Sequence, residues 1–310
     1  MKLSKTVSII LLAFGIAAFL YWFQAGIRFN YSDEGFLWYG ASAILKGQVP
    51  LLDFQSYDPG RYYWSAAFLR VFGDRLLVLR FAASAFQGLA LCFGLLAAKR
   101  IFRSFWVLLG FGLLVSFWMV VNFRYFDAGI VMIAVFFATR YAEAPSLHRA
   151  FQSGAAWGLI AFLGVNHALY IGPAYLALIL FCSFEKKEAA RRSGYFLVGA
   201  ATGLAPLWTM MVFVPGFFKA YADWIFYLID LSRQGLTVYS FPVTWPWREN
   251  SPIGWAFVTV AAYYGAAARI LFSIRKQHSS THALFIASTF VGFFYLKHIF
   301  SRPDVIYLGE

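Results

Sequence analysis

The sequence predicts an all-α fold, a polytopic transmembrane helical bundle with about nine spans. Three observations lead to this prediction. First, 61% of the 310 residues are hydrophobic and only 13% are charged, whereas soluble domains carry about twice that charged fraction. Second, apolar runs of helix length recur along the whole chain. Third, the lysines and arginines lie in short clusters between these runs, as they do in membrane proteins.

The apolar runs give the bounds of the predicted spans. The first, 6–27, follows a basic start and is too long for the apolar part of a cleaved signal peptide, so we expect an uncleaved signal anchor. The stretch 150–184 has no charged residue and is too long for one helix. Breaks at 166–167 and 172–173 indicate a hairpin of two short helices there. The other predicted spans are 81–98, 104–123, 126–142, 193–214, 252–270 and 281–300.

The charge of the loops predicts the orientation of the bundle. Basic residues lie on alternate loops, which the positive-inside rule assigns to the cytoplasm. They are Lys2, Lys5, Lys99, Arg100, Arg103, Arg140, Arg149, Lys186, Lys187, Arg191, Arg192, Arg275 and Lys276. With nine spans, we therefore expect a cytoplasmic N-terminus and a periplasmic C-terminus. The basic MKLSK start and the lack of a large lumenal domain favour a bacterial inner membrane. The net charge of +12 is accounted for in this way, so the expected partners include membrane lipids and exclude nucleic acid.

Residues 1–310 are expected to form a single transmembrane domain with two long outer loops. The first loop, 28–75, is predicted to carry interfacial helices, one of them over 36–45 and ended by Gly47 and Pro50. The second loop, 215–251, is rich in aromatic residues, which suit the membrane interface.

The first outer loop holds the residues best suited to chemistry. The adjacent acids Asp33 and Glu34 follow the first span directly. Such a pair can supply a general base or bind a divalent cation, Mg or Mn. Acidic residues are also common on outer loops without any catalytic role, and nothing in the sequence requires a metal. The lone His167 resembles a buried core histidine more than a ligand.

This loop resembles the first periplasmic loop of the GT-C membrane glycosyltransferases. That superfamily includes the protein O-mannosyltransferases and the aminoarabinose transferase that modifies lipid A. The resemblance covers 31–103 well and 122–129 more weakly, and beyond these ranges it is one of topology. It consists of the ordered segments DEG at 33–35, KGQVP at 46–50, DF at 53–54, PGRYYW at 59–64 and FGDRLLVLRF at 72–81.

The resemblance implies transfer of a sugar from a polyprenyl-phosphate donor to a lipid, glycan or protein acceptor on the outer face, with inversion at the sugar C1. It implies that Asp33 is the general base with Glu34 beside it, and that Asp127 is a second acidic residue of the catalytic site. Tyr57 and Asp58 are expected to contact the substrate. A leaving phosphate needs cationic support, for which the candidates are Arg61, Arg124, Lys297 and Arg302.

A second function remains open, that of a non-catalytic scaffold or a lipid-linked-sugar flippase in cell-envelope glycan assembly. A transporter is expected to have charges or broken helices near the bilayer midplane. The clear charges of this chain gather at the outer surface instead, which favours the enzyme. Members of the superfamily are usually longer, so the resemblance implies a compact or C-terminally truncated relative.

Overall fold

The computed structural model describes residues 5–26, 29–56, 58–121, 126–233, 252–274 and 279–301. Within these ranges the chain is all-helical, as predicted, and its only β pairing there is an isolated bridge between Pro50 and Phe54. The elements are α1 (Lys5–Ala25), a π-helical turn (Tyr31–Gly35), α2 (Phe36–Leu45), α3 (Pro59–Phe72), α4 (Leu76–Ala98), α5 (Phe105–Val121), α6 (Asp127–Glu143), α7 (Leu147–Leu163), α8 (Val165–Cys182), α9 (Lys186–Gly203), α10 (Ala205–Phe213), α11 (Phe217–Arg233), α12 (Pro252–Ile274) and α13 (Ser280–Ser301).

Three of these helices, α1, α4 and α8, are long and apolar enough to cross a membrane. The pair α9 and α10 makes a fourth candidate, although the two helices meet at an angle of 51°. The span predicted over 193–214 is therefore broken rather than continuous, and its first helix begins earlier, at Lys186. Pro206 accounts for the break, because its ring clashes with the carbonyl group four residues before it. The count of about nine spans stays a prediction.

The first outer loop contains the helix predicted over 36–45, which α2 confirms. Gly47 follows it with a φ of +86°, a conformation that glycine adopts readily. The loop also contains α3, whose bounds the sequence did not indicate. Proline at its first position suits a helix start, since that residue needs no N–H partner. The indole N–H of Trp64 on α3 donates to the Ala82 carbonyl group of α4 at 2.8 Å.

The second outer loop was predicted only to be rich in aromatic residues, and its first part proves to be helical. Residues 217–233 form α11. Its apolar residues lie mainly on one side, and Lys219 and Asp223 are exposed on the other. Gly216, with a φ of +82°, makes the turn that leads into it. The rest of the loop lies outside the described residues.

Helices α7 and α9 pack against each other through glycines. A Cβ atom added at Gly154 would lie 2.0 Å from the carbonyl oxygen of Phe196, and one at Gly199 would lie 2.1 Å from that of Phe151. The backbones therefore touch where side chains would normally separate them. Gly158 and Gly203, one turn further along each helix, make the same kind of contact. Facing glycines at this spacing are typical of helix pairs in membranes.

Helix α6 lies at the centre of the largest core, against α4, α7, α8 and α13. Its residues Ile130, Ala134 and Ala138 are fully buried and recur at helical spacing on one face. Asp127 is the first residue of α6 and precedes Ile130 by three positions, so it lies at the end of this buried face. The core therefore fixes the position of the Asp127 carboxylate at one end of the bundle.

Charged residues meet at the opposite end as well. Arg100, after α4, contacts Glu143 at the end of α6 at 2.5 Å. Arg192 on α9 donates to the carbonyl group of Pro145 at 3.1 Å and to that of Cys182 at 3.2 Å. The loops predicted to be cytoplasmic thus come together at one end, whereas Asp127 lies at the other.

Candidate active site

Three charged or titratable side chains from three helices meet at the end where α6 begins. The Nη2 atom of Arg61, from the first turn of α3, lies 2.8 Å from Oδ1 of Asp127. The Nε2 atom of His167, from the first turn of α8, lies 3.0 Å from the same oxygen. The Arg61 and Asp127 side chains remain 22% and 21% exposed, while the Oδ1 atom of Asp127 itself is buried. We refer to Asp58, Arg61, Asp127, His167 and Tyr295 as the polar cluster.

Arg61 is held in place by contacts on two sides. Its Nε donates to the carbonyl group of Leu163 at 2.6 Å, and its guanidinium group lies 5.7 Å from the centre of the Phe126 ring. The third nitrogen, Nη1, has no hydrogen-bond partner among the residues that the structure describes. A guanidinium group that is held in place and has an unused N–H donor is suited to bind a phosphate oxygen. The structure therefore leaves Arg61 able to take the role predicted for it.

Asp58 joins the first outer loop to the start of α8. Its Oδ1 accepts a hydrogen bond from the backbone N–H of Val165 at 2.7 Å, and its Oδ2 lies 3.8 Å from Nε of Arg61. The side chain is buried, and burial raises the pKa of its carboxyl group despite the nearby arginine. Asp58 was predicted to contact the substrate. In this structure its oxygens are directed to a helix N-terminus, which favours negative charge, and to Arg61.

His167 and Tyr295 belong to the polar cluster and were missed as site residues. The Nδ1 atom of His167 lies 2.8 Å from the hydroxyl group of Tyr295 on α13. The histidine therefore bridges Asp127 and Tyr295 and links α6, α8 and α13. The His167 side chain is only 12% exposed, which agrees with its resemblance to a core residue in the sequence. The only sequence signal for it was the polar break predicted at 166–167. The structure places the break of this hairpin at Gly164 instead, and His167 lies in the first turn of α8.

Glu34, predicted to be catalytic, lies in a buried ion pair instead. Its two oxygens receive hydrogen bonds from Nε and Nη2 of Arg80 at 2.7 and 2.8 Å, and the two side chains are 0% and 2% exposed. Arg80 also donates to the carbonyl group of Gln24 at 2.7 Å, which joins α1 to α4. A carboxylate that is fully buried and held by a guanidinium in this way is not accessible to an acceptor. The geometry thus gives Glu34 a structural position.

Asp33, the predicted general base, is exposed. Its Oδ2 accepts a hydrogen bond from the side-chain amide of Asn30 at 3.0 Å, and its backbone N–H donates to the Asn30 side chain. No ion pair to Asp33 occurs within the described ranges. The π-helical turn therefore directs one member of the acidic pair outward and the other inward.

The remaining predicted site residues lie beyond what the structure describes. Tyr57, Arg124 and Arg302 are outside the described residues, and of Lys297 only the helical backbone is described. Among the described residues, no group of three or more histidine, cysteine, aspartate or glutamate side chains could hold a metal ion. Binding of Mg or Mn at Asp33 and Glu34 stays a prediction.

Comparison with known proteins adds no relative, since no family model, curated protein or solved structure matches the chain.

Proposed function

We propose that the chain is an integral membrane glycosyltransferase that moves a sugar from a polyprenyl-phosphate donor to an acceptor on the outer face of the membrane. Asp33 is the general base of the proposed reaction. The polar cluster is the part of the site that binds the donor phosphate, through Arg61. The acceptor is a lipid, a glycan or a protein.

One observation carries this proposal. The Asp127 carboxylate is clamped between Arg61 and His167 at the same end of the bundle as the π-helical turn that exposes Asp33. The turn and α3 are neighbours, because Phe36, directly after the turn, contacts the ring of Tyr62 beside Arg61. An exposed carboxylate and a fixed arginine at the end of an apolar bundle suit a substrate whose lipid chain lies in the membrane and whose charged head lies at its surface.

The proposed step is a single displacement at the sugar C1. The acceptor hydroxyl oxygen forms a bond to C1 as its proton passes to the Asp33 carboxylate. The bond between C1 and the phosphate oxygen breaks, and the polyprenyl phosphate leaves with the electron pair. Nη1 of Arg61 donates a hydrogen bond to the phosphate, whose negative charge increases as the bond breaks. Attack from the face opposite the leaving group inverts C1.

The flippase alternative also has an observation in its favour. The candidate span formed by α9 and α10 is bent by 51°, and α8 contains Pro173 within its length. Broken helices are typical of transporters, which bind substrate near the bilayer midplane. The two functions differ in whether a covalent bond to the sugar is broken.

Replacement of Asp33 by asparagine tests the proposal. We expect Asp33→Asn to lower transfer by about 100-fold or more, because loss of a general base typically costs this much, while donor binding is retained. Purified protein in lipid nanodiscs would receive radiolabelled polyprenyl-phosphate sugars with candidate acceptors, and labelled product and released lipid phosphate would be counted.

Asp53→Asn is the matched control, since Asp53 is an exposed carboxylate of the same loop and accepts a hydrogen bond from the Val49 N–H. An asparagine oxygen can keep that bond, so this variant should transfer sugar normally. Equal transfer by wild type and Asp33→Asn would exclude Asp33 as the base. Donor binding without turnover in the wild type would favour the flippase or scaffold.

A further inference from the structure

An open groove lies at the end of the bundle opposite the polar cluster. It has a volume of about 630 Å³ and runs between the first turns of α7 and α9. The charged side chains that line the groove belong to α9 and to Glu185, the residue before α9. His148 of α7 lines the groove from the other side. The residues that we proposed for sugar transfer do not line it.

The charges in the groove do not cancel. Glu188 contacts Arg192 at 2.5 Å, and Arg192 also donates hydrogen bonds to backbone carbonyl groups. The charges of this pair therefore offset each other within the protein. Lys187 and Arg191 are exposed and lie one turn apart on the same side of α9. Neither forms an ion pair within the described residues. Glu185 offsets one of these two cations, which leaves the groove with an excess of positive charge.

The groove lies where the surface of α9 changes from charged to apolar. Tyr195, Leu197 and Val198 are exposed, and Tyr195 is four residues beyond Arg191, a rise of about 6 Å along the helix. The exposed ring of Phe184 lies just before the helix. Aromatic residues at such a boundary are typical of the headgroup layer of a bilayer. The two cations would therefore lie at the depth of lipid phosphates if α9 and α10 enter the membrane.

We infer that this groove binds the headgroup of an anionic phospholipid from the leaflet that faces the basic loops. Lys187 and Arg191 contact the phosphate, and the acyl chains run along the exposed apolar side chains of α9. A soluble anion would gain from the same cations but not from the adjoining apolar surface. The inference rests on the placement of α9 and α10 in a membrane, and it is independent of sugar transfer.

Lipid retention tests the inference directly. Full-length protein would be purified in detergent, mixed with phosphatidylglycerol and phosphatidylcholine, and examined by native mass spectrometry, with thermal stability followed in parallel. Wild type should retain phosphatidylglycerol in preference to phosphatidylcholine. The double variant Lys187→Ala/Arg191→Ala should weaken retention of phosphatidylglycerol by about tenfold or more, because each cation near a lipid surface contributes substantially to binding.

Lys99→Ala/Arg103→Ala is the matched control, since it removes two cations from the same end of the molecule but not from the groove. It should retain phosphatidylglycerol as wild type does. An equal loss in both double variants would overturn the groove as the site, and so would the absence of any lipid preference in wild type. If inorganic phosphate added to protein in phosphatidylcholine nanodiscs raises the thermal stability as much as phosphatidylglycerol does, the lipid assignment is wrong.

Discussion

At the scale of single residues, the acidic side chains near the starts of α2, α3 and α6 divide into two kinds. Glu34 and Asp58 are buried and bound to an arginine or to a helix N-terminus, so they stabilise the arrangement of the loop. Asp33 and Asp127 remain partly or wholly exposed. Position in the sequence does not separate the two kinds, because Asp33 and Glu34 are neighbours with opposite environments.

The buried pair gives the first stability prediction. Glu34→Gln should destabilise the protein by about 3–5 kcal/mol, because it leaves the Arg80 charge buried without its counter-charge. Thermal unfolding in nanodiscs would measure the loss. Glu34→Leu/Arg80→Leu should recover much of it, since removal of both charges leaves neither one unpaired.

Glu143→Gln provides the comparison at the other end of the bundle. Its partner Arg100 is more exposed than Arg80, so solvent screens the charge that this substitution leaves behind, and the destabilisation should be smaller. If Glu34→Gln destabilises no more than Glu143→Gln, the Glu34 carboxylate is not needed to neutralise Arg80.

At the scale of helices, the sequence predicted the elements that are uniformly apolar and missed those of mixed composition. Helix α1 and the hairpin of α7 and α8 could be predicted because a long apolar run can be recognised from the sequence without knowing which helices pack against it. Helix α11 carries its charged residues on one side, and α3 contains Arg61 and Arg70, so a search for apolar runs passes over both helices. Asp127, His167 and Tyr295 are far apart in the chain, and only tertiary packing brings them together.

The glycine contacts between α7 and α9 are a second feature that the sequence predicts only in part. Gly154 and Gly158 are four residues apart, as are Gly199 and Gly203. Such spacing permits close packing, but it does not say which two helices pair. The pairing follows from the fold, because α8 returns the chain and sets α9 beside α7.

This packing predicts a strong effect of one methyl group. Gly154→Ala should destabilise the protein by about 1–3 kcal/mol or more, because the added Cβ meets a backbone oxygen that cannot move away alone. Gly194→Ala on α9 should be neutral or slightly stabilising, since its Cβ would meet nothing within 4 Å and alanine favours the helix. Unfolding in nanodiscs would compare them. Equal stability of the two variants would show that α7 and α9 are not in backbone contact.

At the scale of the whole molecule, the charges divide between the two ends of the bundle. The polar cluster and Asp33 lie at the end where α6 and α8 begin, and Arg100 and Arg192 lie where they end. Because basic loops stay in the cytoplasm, this division predicts that the proposed sugar site faces outward and that the proposed lipid groove faces inward.

Cysteine labelling tests this orientation. Cys92 and Cys182 are buried, so background labelling of the wild type should be low. In intact cells or spheroplasts, a membrane-impermeant maleimide should label Asp53→Cys. It should label Arg103→Cys and Lys187→Cys only after permeabilisation, because α4 separates position 53 from position 103. The three positions are exposed in the structure, so a failure to label reports the membrane barrier and not burial of the side chain. Labelling of all three positions without permeabilisation would mean that α4 does not separate them, and the inward assignment of the groove would then be wrong.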